Sequence, residues 1–365
     1  AIATILLVAS AFYLPRNLPV FFSFEESYSD FVTAHLGPRK EQRQDIVFVK
    51  IEDSDLVKMV YRSPVDRRWL AELISVIDIH NPKVIGVNIV IDGPTEPEKD
   101  RYIIDTISTA NAPVVLPVND GRFPAPPSSV VYSKHLLRDT GALSGFINMP
   151  ADIDDVIRLL PLPFDKSFGA SFADRIAMVD LKTALPELRF EERISWLLPE
   201  DSNTPAFQEF NAEFIMKAAE PNLLTDKIVL IGYDIQGIDR HLTPLSEAGK
   251  VRSGIAGTRI VMQIIAQRLD GRRLFLVPVF MEVFLYLLVA IAGIMIGLKE
   301  SRRILKDRYF YIIVMVMFVM HLCAFRIFGF VLPGAMMFLI FAVAINVAKL
   351  GVYLNTRKLP NGGLA

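Results

Sequence analysis

The sequence holds a single cysteine, Cys323. It can therefore close no disulfide within the chain and build no cysteine-rich zinc site. Histidine is scarce as well: His35, His80, His135, His241 and His321 show neither an i, i+4 nor an HxH spacing, so neither a zinc site nor any other metal site is expected. No P-loop, G-x-S-x-G or paired-glycine dinucleotide motif occurs, and no cofactor is expected. Internal repeats are absent too. Charge is low at 22% of residues and nearly balanced, with 39 Lys and Arg against 40 Asp and Glu. What abounds instead is apolar residues, 52% of the chain. That composition excludes a disordered or fibrous protein and is too apolar for a purely soluble enzyme.

The balance hides an asymmetry. Residues 21–274 carry 29 basic against 37 acidic residues, and the remainder carries 10 against 3. An acidic globular part beside a basic, apolar part argues against nucleic-acid binding and for a lipid bilayer as surroundings. Residues 275–298 form a 24-residue run with 20 apolar positions, long enough to cross about 30 Å of hydrocarbon as a helix. Residues 309–325 and 331–350 follow with 16 apolar positions each. Pro333 sits near the start of the last run, where a missing N–H does least harm. Between the first two lies KESRRILKDR, a short loop with Lys299, Arg302, Arg303, Lys306 and Arg308 against Glu300 and Asp307. Such a loop marks the cytoplasmic side. The tail 351–365, with Arg357 and Lys358, then faces the cytoplasm too, and residue 274 lies outside.

The run AIATILLVASAFYL at the start is short for a span and does not begin with Met, so residues 1–20 are expected to be a truncated N-terminal membrane helix. A cleaved signal peptide is the weaker reading, because Pro15-Arg16 follows rather than a small-x-small site. Residues 21–274 then form an extracytoplasmic domain held at both ends. Within it, strands are expected over 45–51, 84–91, 114–117 and 227–232. Helices are expected over 64–80, 100–111, 168–181, 209–219 and 258–269, from apolar residues at helical spacing. Residues 119–130 and 198–206 read as Pro- and Ser-rich loops. The early β-α-β-α-β order predicts a parallel sheet. The expected fold class is thus an α/β extracytoplasmic domain with a mainly parallel sheet, plus an all-α membrane part of one N-terminal and three C-terminal transmembrane helices.

Candidate sites follow from position. Glu52, Asp53 and Asp55 come after one strand end, and Asp234 and Asp239 after another, where open α/β sheets place ligand crevices. All five are candidates to line one cleft and bind a cation or polar ligand, against the plainer reading of solvated turn carboxylates and caps. Asp152, Asp154 and Asp155 with Arg158 suggest a structural ion-pair turn. Gly254-Ile-Ala-Gly257 reads as an ordinary helix start rather than an anion site. In the membrane, Glu282 lies in the outer half of its span. Its depth matches that of His321 and Arg326 on the next, antiparallel helix, so Glu282 is expected to pair with one of them and fix the helix packing. A proton relay is the second reading of that group.

Several stretches resemble the type-2 CHASE extracytoplasmic sensor family: DIVFVKIEDSDL at 45–56, NPKVIGVNIVID at 81–92, DIDDVIRLLPL at 152–162, DKIVLIG at 226–232 with Thr243-Pro244, and GIAGTRIVMQIIAQRLDGRRL at 254–274. Asn88 stands where that family often has an acidic residue, and Arg259-Ile260-Val261-Met262 where it often has Glu-Ile-His-Ala. The resemblance implies one membrane helix, a large extracytoplasmic α/β domain and three further membrane helices, usually continuing into a cytoplasmic cyclase, kinase or phosphatase. The tail 351–365 is too short for such a domain, so either the output part is expected to be missing from this chain or the protein is a stand-alone member that acts through partner proteins. The leading expectation is a bacterial inner-membrane sensory or accessory protein without catalytic activity of its own. It would bind a ligand or partner outside and relay this to other membrane proteins or a separate output protein, with a homodimer allowed for. A structural or scaffold subunit of a larger membrane complex is the alternative, and an envelope enzyme the least favoured class.

Overall fold

The computed structural model describes residues 2–59, 61–122, 124–185, 191–201, 204–218, 220, 222–247, 253–298 and 308–357. The basic loop over 299–307 and the tail from 358 lie outside the described residues. The chain divides into two units, Ala1–Leu36 with Leu274–Ala365, and Gly37–Arg273. The first unit opens with helices α1 (Ile2–Asn17) and α2 (Pro19–Leu36), which meet at a 90° bend. Pro19 at the break has no N–H and disfavours helical backbone at the preceding residue. Residues 21–36, expected within the extracytoplasmic domain, group with this helical unit.

The second unit is an α/β domain. Its six-stranded sheet comprises β1 (Arg43–Ile51), β2 (Val84–Val87), β3 (Val114–Val118), β4 (Leu143–Phe146), β5 (Phe207–Asn211) and β6 (Ile228–Tyr233). All neighbours are parallel, in the order β4-β3-β2-β6-β1-β5. The register pairs Phe48 with Leu230 and Gly86 with the same Leu230. Strand alternation sends Ile46 and Phe48 to one face and Val47, Val49 and Ile51 to the other. Helices α3 (Arg67–Ile79), α4 (Pro97–Thr109) and α5 (Pro127–Thr140) cover the second face. Helices α6 (Phe172–Leu181) and α7 (Gly257–Leu269) cover the first. Asp66 caps α3, its carboxylate accepting the N–H groups of Arg68 and Trp69 at 3.0 and 3.2 Å.

Three local readings change. The strand expected over 84–91 ends at Val87. Residues 209–211, expected in a helix, lie in β5, because they pair with β1; only Ala212–Lys217 is helical. Helix α5 and strand β4 were not expected. Only Leu136 and Thr140 are buried along α5, with Tyr132 and Leu137 half-buried beside them, so its apolar stripe is short.

Three more helices complete the first unit: α8 (Val279–Gly297), α9 (Arg308–Cys323) and α10 (Gly334–Arg357). Helix α9 runs on into a π-helical turn at Ala324–Phe328 that Gly329 ends at φ 65°. Val279–Gly297, Phe310–Phe328 and Gly334–Leu354 are long and apolar enough to cross a membrane, and α1 with α2 would add a fourth span only if the bent pair counts as one. Phe275 and Leu276 stay out of α8 because they pair with Phe330 and Val331 in a short parallel ladder. The last half of α2 packs there, with Val32 against Leu274, Phe325 and Val331. Helices α8 and α10 approach closely at Gly293 and Gly297. A Cβ added at either would stand 2.7 Å from Ala344 Cβ or Ala348 Cβ respectively. Small residues one turn apart on both helices let the backbones touch, the common mode of helix association in lipid.

Candidate functional site

The sheet itself creates a crevice. Helix α4 leaves β2 for one face, where Ile103 and Ile107 join the core, and α7 follows β6 onto the other face through Ile260 and Ile264. Since β2 and β6 are adjacent and parallel, the chain parts in opposite directions at their carboxyl ends and leaves a gap there. A cavity of about 510 Å³ occupies it, a size common for small-molecule sites. Its walls are Asn88, Ile89 and Val90 beyond β2, Ile147, Asn148, Met149 and Ala151 beyond β4, Tyr233 at the end of β6, and then Ile238, Asp239, His241 and Gly257. The loop after β6 is held in place by the antiparallel pairing of Arg240–His241 with Ile255–Ala256.

The polar groups are few and oriented. Asn88 donates from Nδ2 to Thr258 Oγ1 at 2.7 Å. Asn148 Oδ1 accepts the Asp120 N–H at 2.8 Å, which leaves its amide NH2 to donate. Asp239 has a left-handed backbone, φ 50°, and its carbonyl accepts the Gly257 N–H at 2.9 Å. Its Oδ1 lies 3.0 Å from His241 Nε2. A Cβ at residue 257 would stand 2.5 and 2.7 Å from the two carboxylate oxygens. Glycine at that position thus lets the Asp239 carboxylate lie against the α7 N-terminus, where the helix dipole favours negative charge. Burial pushes the Tyr233 phenol up; Asp239 adds to the rise and Arg67 opposes it. The phenol therefore stays protonated at neutral pH and can donate.

Of the five carboxylates expected in one cleft, only Asp239 lines this cavity. Asp234 is held by Arg240 at 2.5 Å and by Arg259 at 2.7 Å. Arg259 also grips Glu209 with two bonds of 2.8 Å. Burial works against charge on Arg259, but Glu209 and Asp234 outweigh it and raise its pKa above the ordinary value. Glu52 pairs with Lys50 at 3.1 Å and receives Asn211 at 3.0 Å. Asp55 is buried and accepts the Glu52 N–H at 2.9 Å, a capping box for the turn Asp53–Leu56. Asp53 is exposed near Arg62 at 3.6 Å. Glu52, Asp53, Asp55 and Asp234 are thus taken up by a capping box and by polar or basic neighbours. Asp152 and Asp154 both hold the buried Arg158 at 2.8 Å, while Asp155 takes the left-handed turn position at φ 61°.

The intramembrane pairing differs from the expectation. Glu282 receives Arg16, with Nη1 at 3.1 Å and Nη2 at 2.7 Å, and the Tyr286 hydroxyl at 2.9 Å. The end of α1 runs beside the start of α8, so the N-terminal helix supplies the cation. His321 is not the partner. It is buried, both ring nitrogens lack a hydrogen bond among the described residues, and the Tyr28 ring meets it edge-on at 5.1 Å. Arg326 is exposed in the turn after α9.

Asn148, Tyr233 and His241 carry no motif, and sequence reasoning passed over them as site residues. The one signal for Tyr233 is its place directly after the apolar run of β6. Among the described residues no group of three His, Cys, Asp or Glu could hold a metal ion. The sequence model of the CHASE2 domain family matches residues 3–298. No curated protein and no solved structure matches significantly.

Proposed function

Since this chain belongs to the CHASE2 domain family, a family of extracytoplasmic sensor domains, we propose that it is a membrane-anchored sensory module whose α/β unit takes up a ligand in the crevice and relays occupancy to the membrane helices. The single observation that carries this reading is the position of α7. Its first residue, Gly257, lines the cavity, and the chain runs from its last residue, Leu269, into the first C-terminal membrane helix at Val279.

Helix α7 is tied to the segment 193–197 along its length, so the two would shift together. Gln263 and Gln267 each exchange two hydrogen bonds with the segment 193–197, at 2.7 to 3.1 Å. Arg272 is fixed to Asp270 and Ser195, and Arg273 to the buried Glu192. Displacement at one end of such a rod reaches the other with little loss. A ligand shifts the helices only by as much as it binds two arrangements unequally.

The basic loop over 299–308 favours the cytoplasmic side for the α8–α9 connection, so the α/β unit would face the periplasm of a bacterial inner membrane and the C-terminus the cytoplasm. The chain itself would catalyse nothing. Its partners would be other membrane proteins or a separate output protein, and a second copy of itself.

Two measurements test this. In a Cys323→Ala background, Ser128→Cys on α5 should react with a membrane-impermeant maleimide in intact cells, and Arg357→Cys only after lysis. In lipid nanodiscs, filling the crevice with Ala151→Trp should change hydrogen exchange in α8. Labelling on the opposite sides, or exchange in α8 identical to wild type, would end the proposal.

A further inference from the structure

We infer that the crevice selects a small organic cation: a protonated amine with an apolar body. This deepens the sensory reading above and rests on it, since it names the ligand class of the same cavity. Among the described residues the walls carry one carboxylate, Asp239, with His241 beside it, and neither lysine nor arginine lines the cavity. Two guanidinium groups of the same loop and helix, Arg240 and Arg259, are already engaged by Asp234 and Glu209. An anionic ligand would face the Asp239 carboxylate and, among the described residues, meet no lysine or arginine on the walls.

Asp239 is poised to receive a donor. His241 occupies only Oδ1, at 3.0 Å, and Oδ2 has no hydrogen-bond partner among the described residues. The side chain is 29% exposed, so the oxygen is reachable yet partly shielded from water. An ammonium group there would make a charge-assisted hydrogen bond. The other walls ask for hydrocarbon: Ile89, Val90, Ile147, Met149 and Ile238 surround the remaining space. Across the crevice the free amide NH2 of Asn148 and the neutral phenol of Tyr233 offer donors, which suits a ligand with one neutral acceptor distant from its amine. Burying a cation among apolar walls is tolerated only beside its counter-charge. The position of Asp239 therefore decides where the nitrogen goes.

The test uses the full chain in lipid nanodiscs, with empty nanodiscs as the control for partition into lipid. The probes share one apolar body: cyclohexylamine, cyclohexanol and cyclohexanecarboxylate, titrated at pH 7 by calorimetry. Cyclohexylamine is expected to bind at least about tenfold more tightly than either of the others, as one charge-assisted bond would give. Asp239→Asn should bring the three within about threefold of one another. Asp239→Asn should still bind cyclohexanol as tightly as wild type does, which guards against a loop that the substitution has merely unfolded. Ala151→Trp should abolish binding of all three. If the alcohol or the carboxylate binds as well as the amine and Ala151→Trp removes it, the ligand class is wrong and the crevice reading stands. Amine binding that ignores Asp239→Asn, or no amine binding at all, likewise overturns the inference. The crevice reading itself falls on the separate result that Ala151→Trp leaves exchange in α8 unchanged.

Discussion

At the scale of single residues, burial and partner decide what each charged group can do. Arg16 and Glu282 show this most directly. Glu282 is buried near the start of a lipid-facing helix, and a carboxylate there needs a cation and a donor. Depth along α8 and α9 made His321 and Arg326 reasonable partners, but depth says nothing about which helix lies alongside. Arg16 arrives from a segment more than 260 positions away, as the separation of 266 records. Replacing it by methionine keeps the aliphatic stem and removes the charge. Arg16→Met is expected to lower stability by about 1–2 kcal/mol, read as an earlier unfolding midpoint in detergent, and Glu282→Gln should recover part of the loss in the double variant. No coupling between the two substitutions would show that the pair contributes nothing.

At the scale of elements, close approach matters more than hydrophobicity. Helices α8 and α10 are apolar all round, as lipid demands, so the apolar pattern alone does not select their contact faces. The small residues do. Gly293 and Gly297 face Ala344 and Ala348, and a Cβ at Gly297 would also stand 2.5 Å from the Ile345 carbonyl oxygen. Gly293→Leu should therefore force the two helices apart and cost about 1–3 kcal/mol, as overpacking does elsewhere. Proteolysis of the purified chain in nanodiscs would report it as faster cleavage near the α8–α10 contact. An outward-facing control such as Leu288→Ala, on an exposed position of the same helix, should leave the rate unchanged.

At the scale of the molecule, the two units differ in what covers their apolar surface. The α/β unit draws both of its cores from its own strands and helices, one around Val49, Ile74 and Ile231 and one around Phe48, Ile176 and Ile264. The helical unit instead leaves Phe280, Met295, Met315 and many others exposed for lipid. Residues 37–273 produced alone are expected to fold as a soluble, cooperative domain, with coincident unfolding transitions by circular dichroism and fluorescence. Non-coincident transitions, or aggregation at micromolar concentration, would mean that the membrane helices complete its core.

Much of this was legible from order along the chain. Long apolar runs, the alternation of short β-rich segments with amphipathic helices, and the motifs at 45–56, 81–92 and 254–274 are local properties, and they determined the membrane helices, the parallel sheet and the family. Where the pattern misled, the signal was short or the cause distant: α5 has only a short apolar stripe, and residues 209–211 are strand because β1 lies next to them. The tertiary structure alone decided which side chains share a space. Asn88, Asn148 and the pair Tyr233 and Asp239 come from three separate stretches and meet because β2, β4 and β6 end at one edge. Glu52 and Asp234, equally well placed by position, are instead absorbed by Lys50, Arg240 and Arg259. A carboxylate is free to meet a ligand only when no cation of the fold reaches it first, and that competition is settled by distance in space rather than by separation in sequence.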